Sequence, residues 1–359
     1  MTHIPSPIVD ILELARWAPS GDNTQPWRFE VIDDHHFVVH AFDTRDHCIY
    51  DLDGHPSQIA LGALLETLAI AASAHGLRAE FSRRTDSPDT RPEYIVGLAS
   101  DQQVSPDPLL PFVKQRSVQR RPMRTAPLTA PQKQALQDAV GAFYAIRWFE
   151  GGKQRWRLAR LMFANAKLRL TMPEAYMVHR DIIEWQARFS EDRVPDQALG
   201  LDAMTLKLMR SVMASWQRVR FFNTWLAGHL TPRIEMDLLP GLFCAAHFAI
   251  MARRAPETLD DYVAAGRAVQ RFWLTATRLG LQLQPEMTPL IFSRYVREGV
   301  EFSRMPGATG MAAGLAGRLA EMFQDAPVSQ VAFLGRIGNG EVAISRSLRL
   351  PVERLTRIE

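Results

Sequence analysis

Apolar residues at Ile8, Ile11, Leu12, Ala15 and Ala18 recur at helical spacing, and the turn formers Pro19-Ser20-Gly21 end the helix they predict. Short runs rich in apolar and β-branched residues predict strands at 27–32, 37–42, 94–99, 146–149, 242–251 and 331–335, with longer helices between them. This alternation predicts a mixed α+β or α/β architecture rather than a helical bundle or a β-sandwich. Two stretches rich in Pro, Asp and Ser, 86–92 and 105–111, interrupt the pattern. The second is the expected boundary between a first half, 1–105, and a second half, 106–359.

A weak repeat supports that division. The segment from Gly62 to Leu77 can be laid without a gap on the segment from Gly266 to Leu281, matching Gly62 with Gly266, Ala72 with Ala276, Gly76 with Gly280 and Leu77 with Leu281. Both segments read as helices closed by Gly-Leu, a match that any two buried helices with glycine caps can also show. Both are apolar on most sides, which predicts central rather than surface positions.

Composition narrows the function classes. A chain of 359 residues with 47% hydrophobic content can bury a large core. Its 42 basic and 39 acidic residues leave a net charge of +3, so neither a nucleic-acid partner nor a membrane is expected. Cys48 and Cys244 have no zinc-site spacing and suggest no disulfide framework, which fits a reducing cytoplasm. The N-terminal residues lack a basic region followed by an apolar stretch, and the run from Leu242 to Ala252 is too short to span a bilayer. Walker, Gly-x-Ser-x-Gly and His-Glu-x-x-His patterns are all missing, and the glycines from Gly307 to Gly314 read as a loop leading into a helix. No metal site is expected, and the histidines, including His35, His36 and His40, read as surface residues.

The most informative string is Ala18-Pro19-Ser20-Gly21-Asp22-Asn23-Thr24-Gln25-Pro26-Trp27. Physically it is a helix end whose small residues and backbone amides let a flat ligand approach closely before the chain enters a strand. The string closely resembles the Ala-Pro-Ser-x-x-Asn-x-Gln-Pro-Trp signature of the nitroreductase family of FMN proteins, with every fixed position present. The resemblance implies that Pro19, Ser20, Gly21 and Asn23 touch the flavin. In that family the turn reaches across a dimer interface to an FMN held mainly by the partner subunit.

The family's second signature, Arg-x-Ser/Thr-x-Arg/Lys, normally precedes the turn and grips the ribityl phosphate. Residues 1–14 contain no arginine, and the element appears instead at Arg116-Ser117-Val118-Gln119-Arg120-Arg121, with Val118 in the Ser/Thr place. Paired guanidinium groups suit a dianionic phosphate, and Arg116 and Arg120 would share one face of a helix. Near the C-terminus, Ser347-Leu348-Arg349-Leu350-Pro351 resembles the family's Lys-x-Arg-x-Pro phosphate element, with Ser347 in place of the lysine. Gln284 and Pro285 occupy the place from which the family presents groups to the flavin N5 side, and Glu286 beside them reads as solvent-facing.

Each half thus carries the signature that the other lacks. The resemblance implies a nitroreductase-like fold made of two tandem halves, an intramolecular pseudo-dimer with one FMN and a possible helical lid or insertion at 174–235. The implied activity is hydride transfer through FMN from NAD(P)H to a small organic acceptor, or oxidation of a bound substrate, with the chemistry carried by the flavin rather than by a catalytic side chain. The alternative is a non-catalytic FMN-binding or flavin-storage protein with a lidded site. Either a monomer or a homodimer suits a fused unit.

Overall fold

A computed structural model describes residues 7–226 and 228–356. In the first half, α1 (Ile8–Ala15) buries Ile8, Ile11, Leu12 and Ala15, the stripe its spacing predicts. It is followed by β1 (Trp27–Val31), β2 (His36–Ala41), α2 (His55–Ser73), β3 (Leu77–Arg83) and β4 (Glu93–Ser100). The second half opens with α3 (Ala130–Val140), β5 (Tyr144–Glu150), α4 (Gly151–Thr171) and α5 (Pro173–Ile182). An irregular section then carries the two-residue strands β6 (Ile183–Glu184), β7 (Phe189–Ser190) and β8 (Val194–Pro195). Helices α6 (Ala203–Val212), α7 (Trp216–Trp225) and α8 (Leu230–Arg233) lead through a π-helical turn at Ile234–Leu238 to α9 (Leu239–Leu242). The chain closes with β9 (Ala246–Ala252), α10 (Leu259–Arg278), β10 (Leu281–Pro285), α11 (Thr288–Glu298), α12 (Ala308–Ala320), β11 (Val331–Asn339), β12 (Arg346–Ser347) and α13 (Val352–Leu355).

The two four-stranded sheets have one plan. With β5, β9, β10 and β11 set against β1, β2, β3 and β4, both sheets run first, second, fourth, third. Every neighbouring pair in both is antiparallel. A long helix follows the second strand in each, α2 in one and α10 in the other. The helices end on Gly76 and Gly280, at φ 65° and 72°, a left-handed conformation open to glycine at little cost. Leu77 and Leu281 then begin the third strands.

α2 and α10 pack on each other at the residues that the repeat aligns. A methyl group on Gly62 would lie 2.0 Å from the Val263 carbonyl oxygen, and one on Gly266 would lie 2.0 Å from that of Ile59. The backbones therefore touch. Around the crossing, Gln270 Nε2 donates to Thr67 Oγ1 at 2.9 Å, and Arg267 and Arg271 each pair with Glu66 at 2.8 Å. By length and composition α2 is the one helix among the described residues apolar enough to cross a membrane, yet most of it is buried inside the protein.

Segments also cross between the sheets' cores. Leu350, Val352 and Leu355 from the C-terminal arm pack among the residues of α1, β1 and α2, while Cys48 and Ile49 pack among those of α4, α11 and α12.

Several elements depart from the sequence pattern. The predicted strand 242–251 begins only at Ala246, because Leu239–Leu242 makes a helical turn with Pro240 in its first turn, where the missing N–H costs nothing. β3 escapes the pattern because its outer positions, Arg78, Glu80 and Ser82, are polar, leaving fewer than half of its residues apolar. The glycine-rich segment after Gly307 is helical from Ala308 onward, not a loop. The stretch 174–235 combines helices with the parallel pairs β6 with β8 and β7 with β12, so it is not purely helical.

The helix crossing yields a contrast. Gly62→Ala is expected to lower stability by about 2 kcal/mol or more, since backbone lies where the methyl must go. Gly310→Ala, at an open position within α12, should raise it by up to about 1 kcal/mol. Chemical denaturation of both variants checks the pair.

Candidate functional site

The chain leaves α1 and makes a turn held by hydrogen bonds within itself and from two distant segments. Asp22, Asn23 and Gln25 take φ of 51°, 64° and 48°, left-handed values that cost non-glycine residues energy. Ser20 Oγ accepts from Gln25 N at 3.0 Å. Gln25, fully buried, donates through Nε2 to the carbonyls of Asn23 and Glu191 at 3.1 and 2.8 Å, and accepts from Leu350 N at 2.8 Å. Asn23 donates to the carbonyls of Glu191 and Arg193 at 3.1 and 3.2 Å and accepts from Arg349 Nη1 at 2.9 Å. The amides of Asn23 and Gln25 thus fasten the 189–195 section and the C-terminal arm to the turn. Pro19 and Ser20 are half-buried and Gly21 is exposed.

Three arginines close on the same turn. Arg116 is buried, donates to the Trp17 carbonyl at 3.0 Å and lies 4.6 Å from the Trp273 ring centroid. Arg349 is buried and donates through Nε to the Ala18 carbonyl at 3.0 Å. Arg346 donates to the carbonyls of Lys114 and Arg116 at 2.9 and 3.1 Å, 5.1 Å from the Trp17 ring centroid. None of the three pairs with a carboxylate among the described residues, and the buried Nε atoms of Arg116 and Arg346 have no acceptor. Burial, then the neighbouring Arg349 and Arg346, hold the Arg116 pKa well below its usual range. Burial and the adjacent Arg346 and Arg16 lower that of Arg349 to about 9.

Such crowding of desolvated cations is unfavourable unless an anion joins it, because guanidinium groups stay charged under ordinary conditions. A phosphate dianion would supply acceptor oxygens for the unmatched N–H groups and offset the mutual repulsion. The donor set therefore fits a phosphate monoester.

The remaining candidates surround this cluster unevenly. Residues 116–120 are extended rather than helical, with Val118 bridging Leu283 and Gln119 N donating to the Leu283 carbonyl at 3.0 Å, so the shared helical face of Arg116 and Arg120 does not exist. Pro111 and Pro122 flank this segment, and β10 supplies its hydrogen bonds instead. Arg120 is half-buried, donates to the Ala198 carbonyl at 3.2 Å and has its pKa lowered to about 10 by burial, with Asp22 opposing and Arg336 adding to the shift. Arg121 is exposed and lines a cavity of about 470 Å³ with Val118, Met123, Gln197, Val342 and Ser345. Gln284 and Pro285 end β10, where Gln284 Nε2 donates to the Pro285 carbonyl at 2.9 Å and its buried Oε1 has no partner.

Glu286 does not face solvent. It is buried between His247 of β9, whose Nδ1 donates to it at 2.7 Å, and Arg336 of β11, whose Nη1 donates at 3.1 Å. His247 Nε2 donates to the Gly241 carbonyl at 2.9 Å, so both ring nitrogens act as donors. Burial opposes the imidazolium, but Glu286 and Cys244 prevail and raise its pKa to about 10. His247 is thus a buried cation, against the expectation that the histidines lie on the surface. Sequence spacing gives no sign of this network, because its members meet only when three strands assemble. Arg346 immediately precedes the C-terminal element that carries Arg349, and its adjacency was the available signal.

No family model matches the chain, and no curated protein matches it. Solved structures to which it is similar include a nitroreductase-like family protein from Bacillus cereus, at 12% identity and TM-score 0.34, over 70% of this chain and 96% of that one. A nitroreductase with bound FMN from Bacteroides fragilis matches at 12% identity and TM-score 0.33, over 70% and 100% of the two chains. An FMN-dependent nitroreductase from Mycobacterium smegmatis, in complex with NADPH, matches at 14% identity and TM-score 0.33, over 69% and 96%.

The Glu286 network gives stability a pH signature. His247 has its folded pKa raised from the ordinary 6.5 to about 10, so its contribution is complete below pH 6.5 and is lost as pH rises through 10. Glu286 has its pKa lowered from 4.5, so its contribution is present above pH 4.5 and is lost on acidification. Melting temperature should therefore fall on the alkaline side between those two histidine values, and His247→Gln should flatten that limb.

Proposed function

We propose that the chain is an FMN-dependent oxidoreductase of the nitroreductase type, built as an intramolecular pseudo-dimer with one flavin site between its halves. The observation that carries this reading is the meeting of Arg116, Arg346 and Arg349, without a carboxylate, on the turn from Trp17 to Asn23. That turn carries the flavin-contact signature, and the arginines are the donor set a ribityl phosphate needs. The same plan in both sheets and the contact of Gly62 with Gly266 support the pseudo-dimer. A two-fold relation brings equivalent residues together at its axis. One chain then supplies both parts of the site, which requires no second subunit.

In this reading Arg116, Arg346 and Arg349 hold the phosphate, while Pro19, Ser20 and Gly21 offer backbone and small side chains to the flavin. Gln284 and Pro285 would be the groups that meet the flavin, and Arg120 would add positive charge to the site. Bound FMN supplies two-electron chemistry between NAD(P)H and a small organic acceptor, or from a bound substrate. The protein's share is positioning, charge and exclusion of water.

One observation favours the storage reading. Asn23 and Gln25 are bonded to the carbonyls of Glu191 and Arg193, so the insertion is strapped directly onto the turn. A strap of this kind restricts access by a nicotinamide.

FMN and riboflavin differ only in the phosphate, and titrating both tests the assignment. Arg349→Met is expected to weaken FMN binding roughly tenfold or more and to leave riboflavin binding little changed. Arg116→Met should do the same without lowering the stability of the flavin-free protein, since it removes a repulsive buried charge. Equal losses for both flavins would refute the phosphate role. Anaerobic NADH or NADPH should bleach the yellow protein if it is an oxidoreductase, and persistent colour favours storage.

A further inference from the structure

Between Ala203 and Ile234 there is no aspartate or glutamate, while Lys207, Arg210, Arg218, Arg220 and Arg233 fall in that segment. The near-zero charge of the whole chain conceals this local asymmetry. The same segment carries several large exposed apolar side chains: Met204 is 81% exposed, Leu208 53%, Phe221 55% and Trp225 75%.

Geometry sorts these residues to one side. α7 is held to the body by Trp216, whose ring lies 5.5 Å from that of Tyr176, by the buried Val219, and by Asn223, which donates to the Leu170 carbonyl at 2.8 Å. At 100° per residue, Arg218, Phe221 and Trp225 lie opposite that attachment. On α6 the half-buried residues are Thr205, Leu206, Met209 and Val212, which leaves Met204, Lys207, Leu208 and Ser211 on the outer face. Arg218 Nη1 donates to the Ser211 carbonyl at 3.1 Å and so ties the outer residues of one helix to those of the other.

We infer that the outer faces of α6 and α7 form a docking surface for an anionic lipid membrane. Aromatic, Leu and Met side chains flanked by Lys and Arg, with the acids Asp202 and Glu235 confined to the N-terminal end of α6, match the interfacial zone of a bilayer bearing negative headgroups. A second copy of this chain is a poorer occupant. A two-fold contact through these faces would set Lys207 and Arg218 against their own copies with no carboxylate in the segment to compensate. This inference is independent of the flavin reading.

Flotation of the full chain with vesicles tests it. Binding is expected to phosphatidylcholine vesicles doped with phosphatidylglycerol, to weaken with added salt, and to be lost with pure phosphatidylcholine. The double variant Lys207→Gln/Arg218→Gln should bind about 25-fold more weakly, at about fivefold per basic residue. Trp225→Ala should also bind more weakly, whereas the exposed control pair Arg278→Gln/Arg318→Gln should bind as before. Unchanged thermal melts would show that the variants remain folded. Absence of binding to the anionic vesicles, or equal loss in the control pair, would overturn the proposal. Concentration-dependent self-association abolished by Trp225→Ala would also overturn it, assigning the face to a second copy.

Discussion

The backbone contact of α2 with α10 at Gly62 and Gly266 sets the relation of everything else. No side chain stands between the helices there, so their axes approach more closely than any residue with a Cβ would permit. That approach places one sheet relative to the other, and with them the turn after α1 and the arginine segment before α3. Glu66, Thr67, Arg267, Gln270 and Arg271 then bond across the crossing and specify its register. The crossing is also where a fused dimer would have its pseudo-axis.

Two buried charge clusters in this framework differ in whether a carboxylate is present. At Glu286, one carboxylate lies between His247 and Arg336, and both its oxygens receive donors from within the chain. At Arg116, Arg346 and Arg349, the neighbours are backbone carbonyls, a side-chain amide and aromatic rings, none of which cancels a charge. The first cluster makes structural sense alone. The second leaves donors unmatched, which a bound anion would satisfy. The strained backbone at Asp22, Asn23 and Gln25 beside it fits the same account, because strain of this kind persists where surrounding bonds over-determine it.

Sequence reading finds what is local. Strands β1, β2 and β4 follow from short apolar runs, and the Ala18–Trp27 turn is legible because its fixed residues are contiguous. β3 is missed because Arg78, Glu80 and Arg83 dilute its apolar residues. The bonds of Asn23 and Gln25 to Glu191, Arg193, Arg349 and Leu350 span well over a hundred residues, so no spacing rule reaches them. Arg116 and Arg120 are placed on a helix in the sequence reading, since local pattern does not reveal that Leu283 will bridge the segment. Glu286 reads as solvent-facing for the same reason, as its partners lie on two other strands.

The central claim is that the first half's turn and the second half's arginines make a single flavin site. The most direct measurement is the stoichiometry of FMN bound per chain, from quenching of flavin fluorescence during titration of the flavin-free protein. One FMN per chain is the predicted result. Two per chain would mean that each half keeps a site of its own, and none would remove the flavin from the account altogether.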